Sequence, residues 1–120
     1  MSIFLGYYRT NPTAAQENSA RARTHGPGPD PKMRQLVLDL PGKLPKGCRI
    51  LGSYGPMAAP VFGDASPPSV MIVETTDTAD LQFISQHYAG YLIFHFVPAI
   101  SVGTTRAERD ATMAQPAGGR

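Results

Sequence analysis

The sequence predicts an α+β domain of the ferredoxin-like kind, a four-stranded antiparallel sheet carrying two main helices in the order β-α-β-β-α-β. Four short runs of strand-forming residues are separated by breakers, two stretches with helical apolar spacing lie between them, and two of the strands are apolar on both sides. The chain has 120 residues, the usual size of one domain, and one core is expected. Hydrophobic residues at 42% and charged residues at 17% fall in the globular range.

Residues 3–9 form the first expected strand, with Ile3, Leu5 and Tyr7 on one side and Phe4 and Tyr8 on the other. Alternation alone does not say which of the two tyrosines meets the helices. Residues 11–31 lose the apolar pattern. Asn11 and Pro12 make a helix start, but Ala and polar groups follow, and the run Gly26-Pro27-Gly28-Pro29-Asp30-Pro31 forbids regular structure. This stretch reads as a flap or insertion.

In residues 32–40, Met33, Leu36, Val37 and Leu40 draw one stripe down a helix that Pro41 and Gly42 are expected to end. Residues 48–54 read as the second strand. Residues 55–68 hold four prolines and two glycines, which marks a long loop. Ser69–Thr75 is the clearest strand, because Val70, Met71, Ile72 and Val73 are consecutive and such a run needs apolar cover on both faces.

Asp77 is positioned to cap the next helix and Asp80 lies in its first turn, where negative charge meets the helix dipole favourably. Leu81, Ile84, Tyr88 and Tyr91 carry its apolar spacing. Residues 92–97 form the fourth strand, with Leu92, Phe94 and Phe96 opposing Ile93, His95 and Val97, and Pro98 suits a strand end or an edge. The ferredoxin-like domain is therefore placed at 1–103. A tail at 104–120 contains Thr105-Arg106-Ala107-Glu108 with capping-box spacing and a short helix that either frays or docks.

The order of elements, with Val73-Glu74-Thr75-Thr76-Asp77 entering the second helix and Tyr91-Leu92-Ile93-Phe94-His95-Phe96-Val97-Pro98 closing the sheet, resembles the dimeric α/β-barrel superfamily, and within it an uncharacterised bacterial family. The resemblance covers 1–10 and 32–103. It implies two four-stranded sheets packed face to face as a homodimer, with ligands between a sheet and its helices. Members include cofactor-free monooxygenases, lactone isomerases, haem-degrading enzymes and proteins of no known activity. The chain departs from that pattern at 11–31, at 55–68 and in the tail.

The residues point to the same dimer by a separate route. Helices cover one face of such a sheet, so apolar side chains on the other face of the third and fourth strands need a second cover, and a twin sheet supplies it. Charge is uneven in the same sense: residues 1–63 carry eight basic and three acidic groups, whereas 64–105 carry four acidic groups and no basic one. Opposite halves favour contact with another copy, although dispersed charge that keeps the protein in solution is the plainer account.

Several classes are set aside. The longest mainly apolar stretch, 91–100, is half the length needed to span a bilayer, and 1–8 lacks the features of a secretory leader, so a cytoplasmic protein without membrane contact is expected. Cys48 is the single cysteine and reads as a buried, inert thiol. Three histidines and one cysteine on separate elements make no metal motif, and no Gly-rich loop opens a helix to hold phosphate, so neither metal nor cofactor is expected. The RNA-recognition fold shares the strand order, and residues 3–8 loosely resemble its first aromatic strand. The third strand has no aromatic residue to stack a base, which argues against nucleic acid.

The chemistry-bearing residues are few. His95 and His87 are the candidates for a general base, since imidazole titrates near neutral pH. Tyr7, Tyr54 and Tyr88 are candidates to line a ligand pocket, and Glu74, with Arg9, to hold substrate charge. Each has a plainer structural role as a core aromatic, a hydrogen-bonded histidine or a surface ion pair. Three functions are open at this stage: a non-catalytic dimeric module that assembles with another protein through its tail, a cofactor-independent monooxygenase or isomerase on a small aromatic or polyketide-like molecule, and a binding protein for a small apolar ligand.

Overall fold

A computed structural model describes residues 2–26, 30–55 and 68–114. The loop expected at 55–68, the middle of the proline-glycine run and the end of the tail fall outside those residues, apart from positions 55 and 68. Eight elements follow one another: β1 (Ser2–Thr10), α1 (Pro12–His25), α2 (Pro31–Lys43), β2 (Arg49–Tyr54), β3 (Ser69–Thr75), α3 (Ala79–His87), β4 (Leu92–Ala99) and α4 (Arg106–Met113). The strands form one antiparallel sheet in the order β2-β3-β1-β4, consistent with a ferredoxin-like fold.

Register decides which side chains share a face. Phe4 pairs with Val73 and with Pro98, Gly6 with Met71 and with Phe96, and Tyr8 with Ser69 and with Phe94. Period-2 alternation sends all of these to the helix side. There Val73, Ile84 and Leu40 are almost wholly buried, joined by Cys48, Met71, Leu81 and Tyr88. Tyr8 stacks on Phe94 at a centroid distance of 4.9 Å, Phe94 on Phe96 at 5.3 Å, and Tyr88 closes on Phe94 at 5.7 Å. The tyrosine that meets the helices is thus Tyr8, whose hydroxyl is 3.0 Å from Ser53 Oγ.

Three helices differ from expectation: α3 ends at His87, so Tyr88 is its C-cap and Tyr91 lies in the turn that follows instead of on the helix, and the other two are α1 and α2. The supposed flap at 11–31 contains a fourteen-residue helix, α1, started by Asn11, whose side chain accepts from Thr13 N, with Pro12 in its first turn. It buries only Ala14, so there was no apolar stripe for periodicity to detect. α2 runs through Pro41 to Lys43 instead of stopping at Leu40. Proline forfeits one hydrogen bond there, but so near the end of the helix few further bonds are lost.

The N-cap of α3 is Thr78, whose side chain makes no capping bond; Asp77, expected as the cap, stands one residue earlier and its Oδ1 accepts from Ala79 N, the first N–H of the helix, at 2.9 Å. Beside it the buried Thr75 hydroxyl donates to Asp80 Oδ2 in a short bond, which satisfies two groups that would otherwise be costly in the core. β4 continues past Val97 through Pro98 to Ala99. It lies at the edge of the sheet, where a missing N–H can face outward without breaking the ladder. α4 has the capping box: Glu108 N donates to Thr105 Oγ1 at 3.1 Å and Thr105 N donates to Glu108 Oε1 at 3.3 Å. It curls against its own connector, with Arg109 Nε donating to the Gly103 carbonyl at 3.0 Å, and buries no residue.

Candidate functional site

The other face of the sheet carries none of the described helices. Ile3, Leu5 and Tyr7 from β1, Val70, Ile72 and Glu74 from β3, and Ile93, His95 and Val97 from β4 point there by alternation and register. β2 is bulged at Leu51, which brings Gly52 opposite Ile72 and Tyr54 opposite Val70, so both join this face. Within the single chain the face is only half covered: Ile93 is 55 % exposed and Tyr7 38 %, whereas Val73 on the opposite side of the same sheet is 0 %.

Four strands line up one row across this face. Tyr54 is opposite Val70, Val70 opposite Tyr7, and Tyr7 opposite His95. Three of the residues singled out from the sequence are therefore brought into one line. At its β4 end, Tyr7, His95 and Ile93 border a hollow of about 310 Å³, closed at its sides by Arg9, Pro12 and Pro68. Among the described residues no carboxylate lines it. The sequence reading had Arg9 but not Pro12, Pro68 or Ile93, because only the β1–β4 register and the turn from β1 into α1 bring them together.

The remaining candidates lie elsewhere and are engaged. Glu74 is on the open face at the far end of the sheet, where its carboxylate takes two N–H bonds from Arg49, at 2.7 and 3.1 Å. Such a half-exposed pair contributes little to stability and leaves Glu74 partnered. His87 is on the helix side. Its Nε2 donates to the Leu36 carbonyl at 2.7 Å, tying α3 to α2. A carbonyl only accepts, so this bond holds the proton on Nε2. Tyr88 packs edge-on to His87 and is 3 % exposed, and burial pushes its phenol up from the usual range, with Tyr8 adding to the effect. Neither group is placed as a base that a substrate could reach from the open face.

Cys48 is buried in the core, and burial, then the nearby Asp80 carboxylate, raises its thiol above the ordinary value. That environment suppresses the thiolate, the reactive form. Among the described residues no group of three or more His, Cys, Asp or Glu is disposed to hold a metal ion. No described helix is long and apolar enough to cross a membrane.

A second hollow, about 160 Å³, lies on the helix side between α1, α2 and the start of β4, with Ala14, Met33 and Tyr91 in its wall. Two of its polar members are occupied: Asn18 accepts from Arg21, and Asp30 accepts from Lys32 N as the cap of α2. Ligand sites commonly begin near ~300 Å³, about twice this volume.

Fold and site together define a small α+β protein with one apolar sheet face that no described helix covers and, across it, a row in which Tyr54, Tyr7 and His95 are aligned with Val70. Comparison with protein-family models, with curated proteins and with solved structures returns no match to this chain.

Proposed function

We propose that the chain is a non-catalytic assembly module that pairs with a second copy of itself by stacking the open faces of two sheets. The observation that carries this is the half-covered face, where Ile93 is exposed and Ile3, Leu5, Val70, Ile72 and Val97 are half-buried, all aligned on three adjacent strands. A strand of seven to nine residues spans roughly 25–30 Å, and four strands about 4.8 Å apart give a flat footprint on the order of 500 Å² per chain. Two such footprints reach the ~1,000 Å² at which a biological interface becomes credible, before the corrugation of side chains is counted. The pair is isologous, since one self-complementary patch closes on itself and leaves no apolar face to recruit a third copy.

The engagement of His87, Glu74 and Tyr88 in structural contacts favours assembly over catalysis. α4, capped at its start yet burying nothing of its own, is the natural contact for a different partner protein once the sheets have paired.

Leu5→Asp tests the pairing. It places a charge at the centre of the proposed interface while leaving the helix-side core untouched. The expected result is a monomer with an unchanged far-ultraviolet circular dichroism spectrum. A variant that still associates as the wild type does would refute sheet stacking. Deleting 104–120 is expected to abolish capture of a partner protein while leaving the pair intact.

A further inference from the structure

We infer that the hollow at the β4 rim of the open face is a binding site for a small organic carboxylate with a flat apolar body. It is formed by one chain alone, at the β4 edge of the face proposed to pair, with which it shares Tyr7, Ile93 and His95. Its volume, about 310 Å³, lies at the lower end of the range for ligand sites. Its lining is divided by chemistry. Ile93, Pro12 and Pro68 give apolar walls and the Tyr7 ring a planar one, whereas Arg9 and His95 supply N–H donors, and the described residues of the lining include no Asp or Glu.

That division selects the ligand. An uncharged apolar molecule would leave the guanidinium and imidazole without a new acceptor, and a bare inorganic anion would leave the apolar walls wet. A carboxylate on a ring satisfies both halves. Arg9 already has an interaction within the protein, and a guanidinium presents N–H groups on more than one edge, so it can hold a carboxylate beside its existing partner. His95 has no hydrogen bond among the described residues and offers an N–H donor in either protonation state. Tyr7, its neighbour across the β1–β4 ladder, gives the ring a surface on which to stack and a phenol at the rim.

Two features of the backbone hold the hollow open. Asn11 N donates to the Tyr91 carbonyl at 2.8 Å, which pins the β1–α1 turn to the start of β4. Pro12 then enters α1 directly, its φ fixed by its ring, so that wall is preset before any ligand arrives.

The test is a titration of the isotopically labelled chain with sodium benzoate, followed by amide chemical shifts, with acetate and benzyl alcohol as half-ligands. Saturable shifts at Tyr7, Ile93 and His95 are expected with benzoate, and much weaker ones with either half-ligand. Arg9→Gln should weaken benzoate by about tenfold or more, as loss of a charge-assisted bond does, and His95→Phe should weaken it while leaving benzyl alcohol unchanged. The inference is overturned if benzoate gives no saturable shift, if Arg9→Gln and His95→Phe bind it as the wild type does, or if the shifts fall instead around Ala14 and Tyr91. The titration is repeated on Leu5→Asp. Benzoate binding by a monomeric Leu5→Asp chain shows that the site does not need the pair; an unmodified chain that binds benzoate but never pairs would leave the site standing and remove the assembly reading, and an unmodified pair that ignores benzoate would do the reverse.

Discussion

Replacing Gly6 with alanine is expected to destabilise the protein by about 1–3 kcal/mol, the range for forcing a methyl group into a filled core. The cause is a close approach on the helix side of the sheet. The ring of Phe96 lies over Gly6 in the neighbouring strand, and a Cβ built there would stand 2.8 Å from Phe96 Cδ1, 3.1 Å from Cζ and nearer still to Cε1. Carbon atoms pack at about 3.5–4.0 Å, so the ring must withdraw by roughly 1 Å. The half-buried ring is stacked on Phe94 with planes only 6° apart, so withdrawing it disturbs that stack. At roughly 4 °C per kcal/mol for a chain of this size, thermal unfolding followed by circular dichroism should show a loss of about 4–12 °C at fixed protein concentration. Gly42→Ala is the control with the opposite sign. It lies inside α2 with nothing within 4 Å of the added Cβ, so it should stabilise by about 0.5–1 kcal/mol through the backbone entropy of the unfolded chain. Phe96→Leu on the Gly6→Ala background should recover part of the loss, giving a coupling energy of about 1 kcal/mol. If Gly6→Ala melts with the wild type, the β1–β4 register described above is wrong.

Three further outcomes follow from other parts of the molecule. Cys48 has a folded pKa raised by burial and by Asp80, so its contribution to stability is complete below the unfolded thiol value, about 8.5, and is lost as pH rises from there through the folded value. Urea midpoints measured from pH 7 to 10 should therefore fall more steeply for the wild type than for Cys48→Ala, and parallel slopes would contradict the buried thiol. His87→Phe should cost on the order of 1 kcal/mol in urea unfolding, since it removes the bond to Leu36 but keeps an aromatic ring, and an unchanged midpoint would mean that α3 is not tied to α2 in this way. Thr105→Ala removes the cap of α4, a loss of about 0.5–2 kcal/mol of local helix stability. Amide exchange should quicken across Arg106–Met113 while the global midpoint holds, and a fall in the midpoint would show that α4 packs on the domain after all.

The strands were legible because their evidence is local. Val70 to Val73 leave no doubt about β3, whose ends at Ser69 and Thr75 agree with the sequence reading. The alternation of Phe4 and Tyr8 against Ile3, Leu5 and Tyr7 separates the two faces of β1. The capping box at Thr105 and Glu108 needed only four consecutive residues. α1 escaped because a helix that buries Ala14 alone carries no stripe, and Asn11 with Pro12 marks a start without giving a length. The site was less legible for a different reason. Tyr54, Tyr7 and His95 are far apart in sequence, and only the order β2-β3-β1-β4, with the bulge at Leu51, sets them in one row. The Leu36 carbonyl that occupies His87 belongs to a backbone atom of another helix, and no pattern of side chains announces such a partner.

The proposal depends above all on what covers Ile72, Leu5 and Val97. Light scattering coupled to size-exclusion chromatography of the unmodified chain, run over a hundredfold dilution from roughly micromolar upward, reads it directly. A mass twice the 12.9 kDa of one chain, falling toward one chain only at the lowest concentrations, is the outcome expected of two stacked sheets. A folded species of 12.9 kDa at every concentration would mean that water alone meets the open face, and the assembly role would fall with it.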